Sequence, residues 1–206
     1  MHKIDVYHFE YTPLLIVISG PAGVGKDSLL NCMQERGEEF HFVVTATDRP
    51  PRLGEVHGVD YFFISTEEFL LMEQQDELLE QAIVYGQRKG IPKQQVRQAL
   101  ESGKDVIMRL DVQGAATIRQ IVPNAVTIFL TAPSEREQIH RLRERGSDSL
   151  AQLEKRIRTA QKEMNTLHTF DYVVVNRHGQ LNEAVNQVLA IIEAEHCRVV
   201  PRKVAL

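Results

Sequence analysis

The residues best suited to chemistry form a glycine-rich stretch that ends in a lysine, Gly20-Pro-Ala-Gly-Val-Gly-Lys26. Before it lies a continuous apolar run over residues 14–18, which predicts a strand buried on both faces, and after it apolar residues recur at helical spacing. Glycines let the chain wrap closely around a phosphate with its N–H groups pointing inward. The helix N-terminus and the lysine add positive charge. The order of strand, glycine loop and helix therefore predicts a P-loop that binds nucleotide phosphates.

The position after the lysine departs from the usual P-loop pattern. That position is normally Ser or Thr, whose hydroxyl ligates Mg²⁺, but here it is Asp27, with Ser28 behind it. A carboxylate is a good hard ligand for Mg²⁺, so Asp27 can hold the ion directly or through a water molecule. Its negative charge also lies close to the nucleotide phosphates. We therefore predict a Mg²⁺ site at Asp27 and Ser28.

A second pair of candidate phosphate ligands lies in the loop that follows the second predicted strand. Arg49 and Arg52 flank two prolines, which hold the backbone extended and fix the spacing of the two side chains. Each guanidinium can make a two-pronged, charged hydrogen bond to a phosphate. Two loop arginines can also be merely solvated, but beside a P-loop they predict a second phosphate site.

The composition bounds the possible function classes. The chain has 206 residues, 43% hydrophobic and 25% charged, which is typical of a globular protein with a substantial core. Its net charge of −4 gives no reason to expect a nucleic acid or a membrane as partner, and no apolar run approaches the ~20 residues of a membrane helix. Residues 1–12 show no secretory pattern, and Cys32 and Cys197 match no metal-binding spacing. We therefore expect a cytoplasmic protein with reduced thiols and small-molecule partners.

Five apolar segments that alternate with helical patterns predict an α/β fold with a five-stranded parallel sheet flanked by helices. The segments begin at Leu14, Phe40, Asp105, Ala125 and Tyr172. Asp111 lies just beyond the end of the third segment, where open α/β sheets gather their ligands. Capping boxes at 65–68 and 134–137 predict two helix starts. We divide the chain into an N-terminal extension (1–12), a domain (13–196) with a core (13–44 and 93–196), an inserted lobe (45–92) and a lid (134–166), and a C-terminal tail (197–206).

The segment 136–158 is rich in basic residues. They are Arg136, Arg141, Arg143, Arg145, Lys155, Arg156 and Arg158. Two amphipathic helices with salt-bridged outer faces would explain them, since acidic residues lie among them. The alternative is a mobile lid whose arginines close over transferring phosphates and exclude water.

Several motifs together resemble guanylate kinases, from about residue 14 to 195. They are Gly20-Pro-Ala-Gly-Val-Gly-Lys26, Arg49-Pro-Pro-Arg-x-Gly-Glu-Val-x-Gly-Val-Asp-Tyr61, Asp111-Val-Gln-Gly114, Arg141-Leu-x-x-Arg-Gly-Ser-Asp-Ser149 and Tyr172-Val-Val-Val-Asn176. The second motif is long and specific. The resemblance implies a P-loop NTPase fold with an inserted lobe that binds the nucleoside monophosphate. It also implies ATP-dependent phosphorylation of GMP to GDP, with Mg²⁺ as cofactor.

By position, the resemblance implies three groups of site residues. Those expected to bind the acceptor are Thr45, Arg49, Arg52, Tyr61, Glu80, Lys89 and Asp111. Among them, Glu80 and Asp111 are expected to read the guanine N1–H and exocyclic amine. Those expected to bind ATP are Gly20, Gly23, Gly25, Lys26, Asp27, Ser28, Arg141, Arg145 and Asn176. The expected catalytic residues, which surround the transferring phosphate, are Lys26, Arg49, Arg145 and Arg156.

The chain departs from the family pattern at several of these positions. Asp27 replaces Ser, Asp48 replaces Thr, and Lys89 replaces a phosphate-binding Tyr. Ile91 replaces a hydroxyl that faces guanine O6, which should weaken guanine recognition. Arg109 replaces an Asp, and we expect it to compensate for Asp27, either as an ion pair or as a charge on the metal side.

These departures leave three hypotheses open. The chain is a guanylate kinase, or it is a kinase of the same fold with a different acceptor, or it is a guanylate kinase-like module that binds a ligand without catalysis. The different acceptor could be another nucleoside monophosphate or ribose 1,5-bisphosphate, whose kinases also carry Lys-Asp-Ser. The long motif over residues 49–61 favours the first hypothesis over the second. The intact P-loop and the lid arginines argue against the third.

Overall fold

The computed structural model describes residues 11–84, 86–144 and 150–206. Within these ranges the elements follow the chain as β1 (Leu15–Ser19), α1 (Lys26–Glu35), β2 (His41–Phe42), β3 (Ala46–Thr47), β4 (Phe62–Phe63), α2 (Thr66–Gln74), β5 (Leu78–Val84), β6 (Gln87–Pro92), α3 (Lys93–Glu101), β7 (Val106–Arg109), α4 (Val112–Ile121), β8 (Val126–Thr131), α5 (Glu135–Glu144), α6 (Leu150–Met164), β9 (Tyr172–Val175) and α7 (Leu181–His196). A short 3₁₀ turn at Leu167–Thr169 precedes β9.

The larger sheet is parallel throughout and has five strands in the order β2-β7-β1-β8-β9, which confirms the predicted fold class. β1 lies at its centre, where it pairs with β7 on one side and β8 on the other. All five residues of β1 are buried, as its continuous apolar sequence predicts. Because the strands are parallel, their carboxyl ends meet along one edge, and the P-loop leaves β1 at that edge.

Helices cover both faces of this sheet. Successive side chains of a strand point to opposite faces, so β1 contributes to two cores. Ile16 and Ile18 belong to a core that includes apolar residues of α1 and α7. Leu15 and Val17 belong to a second core with α3 and α4. The central strand is therefore fixed from both sides, and so is the loop that follows it.

The inserted lobe contains a second sheet of four strands in the order β4-β3-β6-β5. β5 and β6 form an antiparallel hairpin, and β3 joins β6 to β4. The loop predicted to follow the second strand contains β3 and β4. The sequence did not predict these two strands, because two residues are too few to show an apolar period. The predicted helix start is confirmed, since Ser65 and Glu68 form a reciprocal capping box at α2.

The C-terminal residues are anchored to the core. Glu195 of α7 is buried, and Arg202 donates two hydrogen bonds to its carboxylate, at 2.8 and 2.9 Å. The Tyr172 hydroxyl donates a third, at 2.6 Å. Burial alone would raise the pKa of the Glu195 carboxyl, but these donors outweigh burial and lower it. Val204 and Leu206 pack against the second core, so the segment defined as a tail contributes to the fold.

Replacing Arg202 should therefore destabilise the protein. Arg202→Met leaves the buried Glu195 carboxylate without its main charged partner, and we expect a loss of about 3 kcal/mol in the free energy of unfolding. Arg198→Met is the matched control, because Arg198 is 49% exposed and lies 3.6 Å from the same carboxylate. That change should cost less than about 1 kcal/mol. Urea unfolding measures both, and equal effects would contradict the anchoring role.

Candidate active site

The P-loop between β1 and α1 depends on glycine at three positions. Gly20, Gly23 and Gly25 all have positive φ angles, of 137°, 84° and 92°. A Cβ atom at Gly20 would overlap the carbonyl oxygen of Leu130, and one at Gly25 would lie 2.5 Å from Nδ2 of Asn176. The backbone conformation and the close packing both exclude a side chain here. The loop therefore has the shape that the sequence pattern predicts.

Lys26 is held inside its own loop. Its ammonium group donates hydrogen bonds to the carbonyl oxygens of Gly20 and Pro21, the latter at 3.0 Å. Burial lowers the pKa of Lys26 to about 8, although the negative charges of Glu163 and Asp27 act to raise it. The lysine is thus still largely protonated at pH 7 and is poised next to the phosphate cradle.

Asn176 and two residues of α5 fix the P-loop through hydrogen bonds. Asn176 donates from its side chain to the carbonyl oxygen of Val24 at 2.9 Å. Arg141 donates to the backbone carbonyl of Asn176, also at 2.9 Å, and Gln138 donates to the carbonyl of Ala22 at 2.9 Å. These bonds tie the loop's carbonyl groups to the protein. The placement of Asn176 and Arg141 is consistent with a role in shaping the ATP site.

The lid helix α6 reaches the P-loop. Arg156 and P-loop residues 22–27 line one cavity of about 240 Å³. Arg145, the other predicted catalytic arginine of the lid, lies outside the described residues. Glu163, which sequence reasoning missed, is half-buried, and its burial raises the pKa of its carboxyl while the nearby charge of Lys26 lowers it. Its spacing could have indicated Glu163 as a site residue, because Glu163 follows Arg156 by two helical turns and so lies on the same face of α6.

A second cavity, of about 270 Å³, joins the P-loop to the inserted lobe. It collects side chains from the start of α1, from the lobe and from the carboxyl end of β7. Its polar lining residues are Lys26, Asp27, Thr45, Tyr61, Glu80, Lys89, Arg109 and Asp111. Seven of these eight are predicted site residues, and Arg109 is the eighth. We call this space the acceptor cavity.

Positive charge gathers around Tyr61 in the acceptor cavity. Lys89 lies 3.3 Å from the Tyr61 hydroxyl, and the Arg49 guanidinium lies 4.9 Å from the centre of the Tyr61 ring. Burial raises the pKa of the Tyr61 phenol, but the charges of Lys89, Arg109 and Arg49 outweigh it and lower the pKa. This end of the cavity therefore suits an anion.

The two arginines of the proline loop are placed differently. Arg49 is buried and makes two hydrogen bonds of 2.6 Å to the Glu55 carboxylate. Arg52 is exposed, and its backbone N–H donates to the same carboxylate at 2.7 Å. Glu55, which sequence reasoning did not single out, thus orients the loop that presents both arginines.

The other end of the acceptor cavity carries two carboxylates. Glu80 of β5 is only 7% exposed, and burial together with the charge of Asp111 raises its pKa to about 7. Asp111 caps α4 by accepting hydrogen bonds from the N–H groups of Gln113 and Gly114. Ile91 lies opposite Glu80 in the β5–β6 register and is buried, so it gives Glu80 an apolar neighbour. This end suits a ligand with hydrogen-bond donors.

The structure explains two of the departures from the family pattern. Arg109 and Asp27 form an ion pair, which is the first of the two arrangements expected from the sequence. Asp48 accepts hydrogen bonds from the backbone and the guanidinium of Arg88, at 2.8 and 3.2 Å, and from Thr66 at 3.3 Å. Asp48 thus ties the lobe's strands to α2, and we assign it a structural role.

Similarity to known proteins agrees with this geometry. A family model described as guanylate kinase matches residues 12–195. Guanylate kinase 2, chloroplastic/mitochondrial, of Oryza sativa subsp. japonica is 50% identical over 93% of this chain and 68% of its own length. A guanylate kinase of Halalkalibacterium halodurans is 43% identical over 90% of both chains. The crystal structure of guanylate kinase from Anaplasma phagocytophilum superposes with a TM-score of 0.73 at 28% identity, over 93% of this chain and 90% of that one.

The packing behind the P-loop can be tested with one pair of variants. Gly25→Ala should displace Asn176 and lower the affinity for ATP by about tenfold or more, because the phosphate cradle loses its shape. Gly103→Ala is the matched control, since Gly103 has a similar positive φ of 79° but open space around it. It should lose about 1 kcal/mol of stability and keep its ATP affinity. Calorimetric titration with ATP decides, and an unchanged affinity in Gly25→Ala would refute the argument.

Proposed function

Because the chain belongs to the guanylate kinase family, we propose that it transfers the γ-phosphoryl group of ATP to GMP, giving ADP and GDP. The acceptor cavity is the observation that carries this proposal. Lys26 of the P-loop and the carboxylates of Glu80 and Asp111 all line this one cavity. A donor phosphate and an acceptor can therefore meet in one space, which is what phosphoryl transfer requires.

The donor half is assigned to the P-loop and the lid. The backbone N–H groups of the loop and the Lys26 ammonium bind the ATP phosphates, while Arg141 and Asn176 support the loop from behind. Arg156 lies against the loop and is placed to neutralise charge on the transferring group. Arg145 is assigned the same role from the family motif.

The residues after Lys26 fit a Mg²⁺ ion. Asp27 offers a carboxylate and Ser28 a hydroxyl at the start of α1, and both residues are exposed. Kinases hold Mg²⁺ with one or two protein ligands and complete its shell with substrate phosphates and water. Among the described residues there is no group of three or more acidic, His or Cys side chains that could hold a metal. A bound Mg²⁺ supplies charge neutralisation on the phosphates.

The acceptor half fits a guanine nucleotide. Glu80 and Asp111 are acceptors when ionised, and guanine presents donors at N1–H and at its exocyclic amine. Lys89, Tyr61 and Arg49 gather at the other end, where the monophosphate would bind with Thr45 and Arg52 nearby in the chain. The attacking atom is an oxygen of that monophosphate, which is already ionised at neutral pH. The protein therefore has to position the two substrates and neutralise their phosphate charges, and it does not have to remove a proton from the acceptor.

One observation favours a broader choice of base. The residue opposite Glu80 is the buried Ile91, which offers no hydrogen bond to a base carbonyl. A purine monophosphate without that carbonyl would therefore lose less binding free energy in this site than in a site that offers a hydroxyl. Ribose 1,5-bisphosphate fits less well, because it carries no N–H donors to meet the two carboxylates.

The compartment is also part of the proposal. No helix of the described residues is long and apolar enough to cross a membrane. Cys32 and Cys197 are both free thiols, which supports a reducing compartment such as the cytoplasm.

The acceptor is tested by measuring ADP formation from Mg-ATP with one acceptor at a time. The acceptors are GMP, dGMP, AMP, UMP, CMP and ribose 1,5-bisphosphate. We expect GMP to exceed AMP by about 10²-fold in kcat/KM, because AMP has neither the N1–H nor the 2-amino group that would donate to the two carboxylates. Turnover with another acceptor and none with GMP would overturn the proposal. ATP binding without any turnover would indicate a non-catalytic module.

The ionisation of Glu80 predicts a pH dependence. Its pKa of about 7 means that acidification protonates it near neutrality, and the protonated form cannot accept from both guanine donors. The kcat/KM for GMP should therefore fall below pH 7, by about tenfold per pH unit once Glu80 is mostly protonated. Glu80→Gln is the control, since GMP's own phosphate titrates identically with both enzymes. Parallel profiles for the two enzymes would contradict the role of Glu80.

A further inference from the structure

Arg109 lies where the P-loop meets the acceptor cavity. It is the last residue of β7 and pairs in register with Ile18 of β1, directly before the P-loop. Its side chain is 34% exposed and lines the cavity with Lys26, Tyr61 and Lys89. The family pattern that this chain resembles has an acidic residue at this position, so Arg109 reverses the charge expected there.

The charge of Arg109 acts on both sides of this junction. Its charge is one of those that lower the pKa of Tyr61 in the acceptor half, and Arg109 lines the same cavity as Lys26 of the donor half. A cleft lined by positive charges attracts an anionic ligand. Arg109 therefore belongs to the group of cations at the phosphate end of the acceptor cavity, with Lys89 and Arg49.

Neutralisation of Asp27 does not account for this placement. Asp27 is 55% exposed, and an exposed ion pair contributes only about 0–1 kcal/mol to stability. The pair engages one nitrogen of Arg109, whereas a guanidinium carries five N–H donors in a rigid fork that matches a phosphate. The contact with Asp27 orients that fork at the rim of the cavity.

We propose that Arg109 is an additional binding residue for the acceptor's monophosphate, and that Asp27 positions it. This inference rests on the proposed function, because it assigns the acceptor's phosphate to the end of the cavity where Tyr61, Lys89 and Arg109 meet. It adds a second cation beside Lys89, which also stands in place of an uncharged residue of the family pattern. Lys89 and Arg109 together strengthen binding of the phosphate, whereas Ile91 weakens binding of the base.

Binding titrations separate a phosphate contact from other roles. We would titrate the wild type and Arg109→Gln with GMP and with guanosine, and follow the heat released. Arg109→Gln should bind GMP about tenfold or more weakly and bind guanosine as the wild type does, because only the phosphate contact is lost. Arg97→Gln, an exposed arginine of α3, is the control and should change neither affinity. Arg109→Lys should recover part of the GMP affinity, since it keeps the charge without the fork.

A double variant tests the simpler explanation. If Arg109 only neutralised Asp27, then Asp27→Ser with Arg109→Gln would bind GMP as tightly as Asp27→Ser alone. We expect the double variant to bind GMP about threefold or more weakly than Asp27→Ser, with guanosine affinity unchanged; the factor is smaller than in the wild-type background because Asp27 no longer orients Arg109. Equal GMP affinities in these two variants, or a GMP affinity of Arg109→Gln within about twofold of wild type, would overturn the proposal. Should the wild type prefer another monophosphate, the proposed function fails separately, and the same titrations use that monophosphate and its nucleoside.

Discussion

Two phosphate groups that repel each other have to be brought into contact in this site, and the rest of the structure depends on that constraint. The parallel sheet meets it by directing the P-loop after β1 and the side chains at the end of β7 to one edge. The inserted lobe then brings Lys89 of β6 and Tyr61, which directly precedes β4, to the same place. Positive charge is thus distributed around a cavity before either substrate binds, so that little reorganisation is needed when charge develops during transfer.

Carboxylates orient most of these cations. Glu55 holds Arg49, Asp27 holds Arg109, and the charge of Glu163 stabilises the protonated form of the buried Lys26. A long basic side chain loses conformational freedom when it binds a phosphate, and an acidic partner that fixes it in advance reduces this loss. Asp48 shows that an acidic substitution near the site can instead be structural, because its partners Arg88 and Thr66 lie within the lobe.

Local sequence predicts the parts of this protein that depend on local chemistry. The P-loop, the five strands of the parallel sheet and the capping box at Ser65 all follow from glycine spacing, apolar runs and hydrogen-bonding side chains. The strands β3 and β4 could not be predicted, because two-residue strands exist only through pairing with distant segments. Glu163 was missed for a similar reason, since its meaning comes from the packing of α6 against the P-loop. The ion pair between Arg109 and Asp27 was predictable because the two positions depart together from the family pattern.

The central claim is that donor and acceptor occupy one continuous space between the P-loop and the inserted lobe. The most direct test is calorimetric titration with a bisubstrate compound in which five phosphates join adenosine to guanosine. We expect one molecule per chain and an affinity at least about 10²-fold tighter than that of ATP or GMP alone, because the second half binds intramolecularly. Binding no tighter than ATP, or two molecules per chain, would show that the two halves do not form one site.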